Sequence, residues 1–178
     1  MEKIDTRIPG LFIIKLDIFY DERGFFTEKY NKAKLQELDI KEEFVQDNHS
    51  RSNKFVLRGL HAQQGQGKLI GASSGIIYDV AVDIRKNSQT YGEYVGIELS
   101  AENGLLLWIP DGFLHGFQVL SEIADVTYKV TDFYNPATQF GVSWCDPDLS
   151  INWPNQKNAI LNSRDQELPN LKDIKSEV

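Results

Sequence analysis

The chain carries three histidines, His49, His61 and His115, and two of them sit where glycines cut strand-like runs. His61 closes "VLRGLH". His115 lies in "IPDGFLHGF", where Pro110, Gly112 and Gly116 shape a tight connection. Arg58 and Lys68 flank His61 in "VLRGLHAQQGQGKL". An imidazole titrates near pH ~6.5, so it exchanges protons readily at neutral pH. As a general base it needs a carboxylate to orient it and a separate acid on the far side of the substrate. Asp79, Asp83 and Asp165 are the candidate carboxylates, and Tyr78, Tyr128 and Tyr134 the candidate acids. Arg58 and Lys68 are suited to stabilising an oxyanion or holding phosphate. Residue types alone leave the choice of partners open.

A mononuclear metal centre is the competing chemistry. Such centres draw on three or more His or carboxylate ligands. Here the first motif reads His61-Ala62-Gln63, where a metal version carries His-x-His. Metal-free proton transfer is therefore the expectation, with no metal and no cofactor. His49 reads as a surface residue.

The elements that must position these groups are mostly strands. One helix is predicted, in "NKAKLQELD" (residues 31–39), with Asn31 as its cap and Leu35 and Leu38 on one apolar face. Elsewhere short apolar runs alternate with turns, at the spacing of an all-β sandwich or barrel. In "GIIYDVAVDIR" one face carries Ile76, Tyr78, Val80, Val82 and Ile84, and the other Ile77, Asp79, Ala81, Asp83 and Arg85. Two aspartates are costly in a dry core. That second face is either solvated or the polar interior of a barrel with a ligand in its mouth. "GASSG" is small and polar for a barrel strand, which predicts close approach of a ligand or another backbone. The polar stretch from Asn155 onward should drape over the barrel and fray at its end. Cys145 reads as a small core residue, and Trp108, Trp144 and Trp153 as core or interface anchors.

At 178 residues, 41% hydrophobic and 25% charged, the chain has the size and composition of one globular domain. A single domain over residues 1–178 is expected, with the barrel core at about 40–145 and the C-terminal segment packed over it. A net charge of -7 argues against a nucleic-acid partner. No apolar run is long enough for a membrane span, and "MEKIDTRIPG" lacks the pattern of a signal peptide. With a lone cysteine, these features point to the cytoplasm.

Taken in order, "DERGFFTEKYN", "FVQDNHSRS", "VLRGLH", "QGKL", "DVAVDIRKNSQTYGEYVGIELSAEN", "LWIPDGFLHGFQVLSE", "YKVTDFY" and "DPDLSINWP" resemble the nucleotide-sugar 3,5-epimerases typified by dTDP-4-dehydrorhamnose 3,5-epimerase. The resemblance implies an all-β fold, a cupin-type jelly-roll β-barrel with a few short helices, metal-free and homodimeric. It implies a nucleotide-linked 4-keto-6-deoxyhexose as substrate, by default dTDP-4-dehydro-6-deoxy-D-glucose, converted to dTDP-4-dehydro-L-rhamnose. It assigns His61 as the base, Asp165 in "NSRD" as its carboxylate partner, Tyr128 as the opposing acid and Lys68 as the stabiliser of the enolate oxygen. Arg58, His115 and Asp79 would line the pocket. Gln46, Asn48 and Ser50 match the segment that holds sugar or diphosphate. Arg23 and Glu28 match a segment that reaches the nucleotide in the partner subunit. Rhamnose for lipopolysaccharide, a capsule sugar and an antibiotic sugar are all products consistent with this chemistry.

The sequence also departs from the family pattern. Phe55 stands where a glycine is usual, Ala62 replaces an aromatic, Gly71 stands at a common arginine, and Phe133 at a frequent tyrosine. The loop "QQGQ" is short. The expectation is a wider pocket with one anionic contact weakened. Competing readings are a single-carbon epimerase, a 3,4-ketoisomerase, or a non-catalytic sugar-nucleotide-binding cupin. For single residues, Tyr128 could be a packed strand aromatic, Asp165 a cap, and Asp79 a partner of Lys68 or Arg58.

Overall fold

The computed structural model describes residues 1–174. Thirteen strands and two short α-helices follow one another: β1 (Glu2–Asp5), β2 (Phe12–Lys15), β3 (Ile18–Asp21), β4 (Gly24–Thr27), α1 (Lys32–Glu37), β5 (Gln46–Asn53), β6 (Leu57–Gln63), β7 (Lys68–Ser74), β8 (Ile76–Asp83), β9 (Tyr94–Ser100), β10 (Leu105–Ile109), β11 (Phe113–Val119), β12 (Ile123–Val130), β13 (Gln139–Gly141) and α2 (Ser163–Gln166). All strand pairings in the sheets are antiparallel. One sheet runs β1-β2-β10-β7-β12-β5 and the other β13-β6-β11-β8-β9, while β3 and β4 form a separate hairpin. The two larger sheets pack face to face, as expected for a cupin-type jelly roll.

Alternation along each strand sorts the side chains into three apolar layers. Between the sheets, Ile70, Ala72, Leu107 and Val126 meet Ile77, Ala81, Phe113 and Phe117. Outside the six-stranded sheet, α1 packs Leu35 onto Phe12, Leu69, Leu106 and Trp108. Asn31 caps that helix by accepting from the N–H groups of Ala33 and Lys34, and Asp39, at φ 68°, follows its end. Outside the five-stranded sheet, Leu57, Leu60, Val80 and Val82 lie under Val142, Leu149, Ile151 and Trp153 of the C-terminal segment. The polar stretch from Asn155 onward joins the same layer through Ala159, Leu161, Leu171 and Ile174. The expected fraying of its end falls on residues 175–178, outside the described residues.

The aspartate face of β8 is not solvated, which overturns one of the two readings of it. Val80 and Val82 face the draped segment, while Asp79 and Asp83 point inward and are fully buried. Burial would raise the Asp83 carboxyl. Hydrogen bonds from Arg85, Ser88 and Thr90 overcome that and hold it well below the usual carboxylate range. Cys145 also differs from expectation: it is exposed, because it follows β13 on the outer covering segment rather than lying between the sheets. Trp108 and Trp153 are core residues as read.

Candidate active site

The sheets part at one end around a cavity of about 410 Å³, a size that suits a small ligand. Its wall takes Gln46, Asn48 and Ser50 from β5, Arg58 and His61 from β6, and Lys68 from β7. His115 from β11 lies beside His61 in the five-stranded sheet, Tyr128 from β12 lies beside Asn48 in the six-stranded sheet, and Asp165 comes from α2.

His61 and His115 are direct cross-strand partners, and the β6–β11 pairing shifts register just after them. Two glycines permit the close approach at that bulge. A Cβ on Gly59, at φ 116°, would sit 2.7 Å from the backbone of Gly116, and one on Gly116 would sit 2.8 Å from the Arg58 carbonyl. The glycines of "LRGLH" and "LHGF" are thus requirements of the strand junction that presents both imidazoles.

His61 Nε2 lies 2.7 Å from Asp165 Oδ1, and the other carboxylate oxygen accepts the Gly59 N–H at 3.1 Å. Asp165 is 1% exposed. Burial pushes its carboxyl up, but the His61 hydrogen bond and the Gly59 N–H outweigh burial and hold it below its ordinary value. An ionised Asp165 orients the ring and leaves the other ring nitrogen its lone pair. Asp165 does not cap its helix. Asn162 does, accepting the Asp165 N–H at 2.7 Å, and this frees the carboxylate to reach the base.

The Tyr128 hydroxyl makes no hydrogen bond to another described residue, and burial raises its phenol against the opposing charge of Arg58. It is a cavity group rather than only a packed strand aromatic. Lys68 is 8% exposed. Burial lowers its ammonium to about 8, with Asp111 pulling weakly the other way. His115 Nε2 meets Asp79 Oδ2 at 2.9 Å. Asp79 therefore pairs with His115 and not with Lys68 or Arg58, because Asp79 lies beside Phe117 in the β8–β11 ladder and its side chain points inward next to the imidazole. Burial raises the Asp79 carboxyl, and its Oδ1 has no hydrogen-bond partner. Arg58 Nε donates to Ser52 Oγ at 3.0 Å.

Other candidates lie elsewhere. Arg23 and Glu28 are outside the cavity of this chain: Arg23 bonds Asp21 on the exposed β3–β4 turn, and Glu28 pairs with Lys34. His49 is mostly exposed and bonds Asp125. Tyr78 and Asp83 do not line the cavity, whereas Tyr134 does. Four wall residues were missed as functional: Gln63, Gln66, Gln139 and Asn162. Asn162 had a readable signal, three residues before an aspartate at a short helix. The glutamines had none, since their partners lie far along the chain. Gln46, read as a substrate contact, has both amide ends engaged, Nε2 with Asn48 and Oε1 with the Tyr134 N–H.

The dTDP-4-dehydrorhamnose 3,5-epimerase family model matches residues 5–173 of this chain. The chain belongs to that family. The dTDP-4-dehydrorhamnose 3,5-epimerase of Salmonella typhimurium is 49% identical over 170 residues, covering 93% of each chain. The crystal structure of the Legionella pneumophila dTDP-6-deoxy-D-glucose-3,5-epimerase, in complex with dTDP-4-keto-L-rhamnose, is 48% identical. It superposes with a TM-score of 0.96 and covers 99% of this chain and 95% of that one. A variant of a 3'-monoepimerase from Streptomyces bikiniensis, in complex with dTDP, is 28% identical with a TM-score of 0.89, covering 94% and 86%.

Within this family frame, the sequence departures land in unequal places. Gly71 does not face the cavity, which corrects the expected loss of an anionic contact there. Lys68 and Ile70 point inward, so Gly71 points outward, where its missing Cβ would lie 2.4 Å from Leu106 Cδ2. The close approach expected at "GASSG" occurs at both of its glycines: the Leu106 side chain at Gly71, and another backbone, that of Ile123 and Ala124, at Gly75. Phe55 has φ 67°, a left-handed conformation that favours the family's glycine. Ala62 lies at the cavity margin, and Phe133 is exposed.

Proposed function

We propose that this chain is an isomerase that inverts carbons 3 and 5 of dTDP-4-dehydro-6-deoxy-D-glucose, giving dTDP-4-dehydro-L-rhamnose. The observation that carries the reading is the His61–Asp165 pair at 2.7 Å, sharing one cavity with Tyr128 and Lys68 in a member of this family. The 4-keto group acidifies the hydrogens on both neighbouring carbons. At each carbon in turn His61 takes the hydrogen as a proton, the C–H electron pair forms a C=C bond to carbon 4, and the C=O π pair moves onto the oxygen to give an enolate. Asp165 steadies the imidazolium. The Lys68 ammonium, buried away from bulk water, stabilises the enolate oxygen more strongly than it would in water. Tyr128 returns a proton to the opposite face of the carbon, and solvent restores both groups. Arg58, His115, Asn48 and Ser50 supply polar contacts to sugar and diphosphate, with Asp79 keeping His115 oriented.

The homodimer belongs to the same proposal. The hairpin of β3 and β4 exposes Phe19, Tyr20 and Phe26 with Arg23 at its turn, which supports a partner-facing arm carrying Arg23 and Glu28 to the neighbouring nucleotide. A cytoplasmic location suits a nucleotide-sugar substrate.

Incubation with dTDP-4-keto-6-deoxyglucose in heavy water, followed by mass spectrometry and NMR, tests the function. Deuterium at both carbons with inversion supports it. Deuterium at one carbon assigns a single-carbon epimerase instead. No uptake, with GDP- and CDP-linked keto sugars also inert, leaves a binding protein.

A further inference from the structure

The loop from β12 to β13 crosses between the two sheets at the cavity and sets Tyr134 into its wall. Residues 131–135 belong to no helix or strand. Even so, their backbone is gripped at four consecutive residues, each time by a glutamine side chain. Gln66 Nε2 donates to the Asp132 carbonyl at 2.9 Å and Gln63 Nε2 to the Phe133 carbonyl at 2.8 Å. The Tyr134 N–H donates to Gln46 Oε1 at 3.1 Å and the Asn135 N–H to Gln63 Oε1 at 2.9 Å.

Gln63 bonds the carbonyl before Tyr134 and the N–H after it, as the backbone of a parallel strand would. A side-chain amide, like a backbone amide, carries one group that donates and one that accepts. Gln63 is 4% exposed and Gln66 8%, so neither bond is easily traded for water. The tyrosine hydroxyl is fixed too: it donates to Gln139 Oε1 at 3.2 Å, which also accepts from Arg164. Irregular segments at a cavity mouth are ordinarily the least stable parts of a fold.

We infer that Gln63, helped by Gln66 and Gln46, is a positioning residue that holds Tyr134 in place before substrate arrives. The amides act as a false strand: they give the loop the backbone partners it lacks, so the wall is already shaped for the sugar nucleotide. Binding then does not have to order this segment. The inference deepens the proposed epimerase reading and rests on it only for the activity readout.

Amide hydrogen exchange followed by NMR, together with steady-state kinetics, tests it. In the wild type the Tyr134 and Asn135 amides should be protected despite lying in a loop. Gln63→Met should speed Asn135 exchange at least tenfold while core amides keep their protection. It should also raise KM roughly tenfold and leave kcat within about twofold, the signature of lost binding rather than lost chemistry. Gln66→Glu, which cannot donate to the Asp132 carbonyl, should act in the same direction. It replaces Gln63→Met if that variant does not fold. Unprotected Tyr134 and Asn135 amides in the wild type would overturn the clamp, and a freed loop with unchanged KM would overturn its positioning role. A wild type that exchanges no substrate hydrogen, with both amides protected, would instead sink the epimerase reading and leave the clamp intact.

Discussion

Replacing Lys68 by Met should make the protein more stable and nearly inactive at the same time. The ammonium sits at about 8 instead of its ordinary 10.5, chiefly because burial strips its water. At about 1.4 kcal/mol per pH unit, keeping it charged costs the folded state about 3 kcal/mol at neutral pH. Methionine fills a similar volume without a charge. The sign follows from proton binding. Between about pH 8 and 10.5 the unfolded chain holds more protons on Lys68 than the folded one, so wild-type stability rises with pH across that window. The advantage of Lys68→Met should therefore be largest below pH 8 and shrink towards pH 10.5. Urea unfolding of both proteins at pH 7 and pH 9.5 measures it. The same change removes the cation that the proposed mechanism sets against the enolate oxygen, so kcat should drop by about 10²–10³. A variant no more stable than the wild type at pH 7, or an advantage that does not narrow with pH, would refute the premise that the cation is held at a cost. Retained kcat would remove Lys68 from the mechanism.

Other outcomes follow from the same geometry. Asp165→Asn keeps the shape but loses the charge that steadies the base, and kcat should fall by about 10²–10⁴ with dTDP affinity, measured by calorimetry, unchanged. Phe55→Gly relieves a left-handed backbone at φ 67° and should stabilise by about 1 kcal/mol, read as a higher urea midpoint at unchanged slope. Gly59→Ala drives a Cβ to 2.7 Å from the backbone of Gly116 and should cost more than about 2 kcal/mol; normal stability there would show that the bulge can relax. Wild-type kcat should also decline as pH rises through about 8, where Lys68 loses its proton, and a flat profile to pH 9.5 would count against its role.

The barrel was legible because its information is local. Alternation at 76–85 gave β8, and Asn31 with Leu35 gave α1. His61, Lys68 and His115 were readable because each sits beside glycines that a plain strand would not carry. What could not be read was pairing across the fold. Asp79 found His115 because β8 lies beside β11, a neighbour that no spacing along the chain encodes. Gly71 was assigned to the wrong face because its role was taken from a family position, whereas strand parity relative to Lys68 decides where it points. Cys145 looked like a core residue by type, but its segment lies on the outer layer. The glutamine clamp needed two sheets and a loop brought together before the amides had anything to hold.

The partner of His61 arrives from 104 residues later in the chain. During synthesis every strand from β1 to β13 leaves the ribosome before Asp165 does. A nascent chain with all its strands already made still has an unsteadied imidazole and an unfilled end to its cavity. On the proposed mechanism turnover waits for that carboxylate, which a layer made after the strands delivers. On the same mechanism activity reports that synthesis has passed α2, and a proteolytic cut within the covering segment should silence the enzyme well before it disperses the sheets.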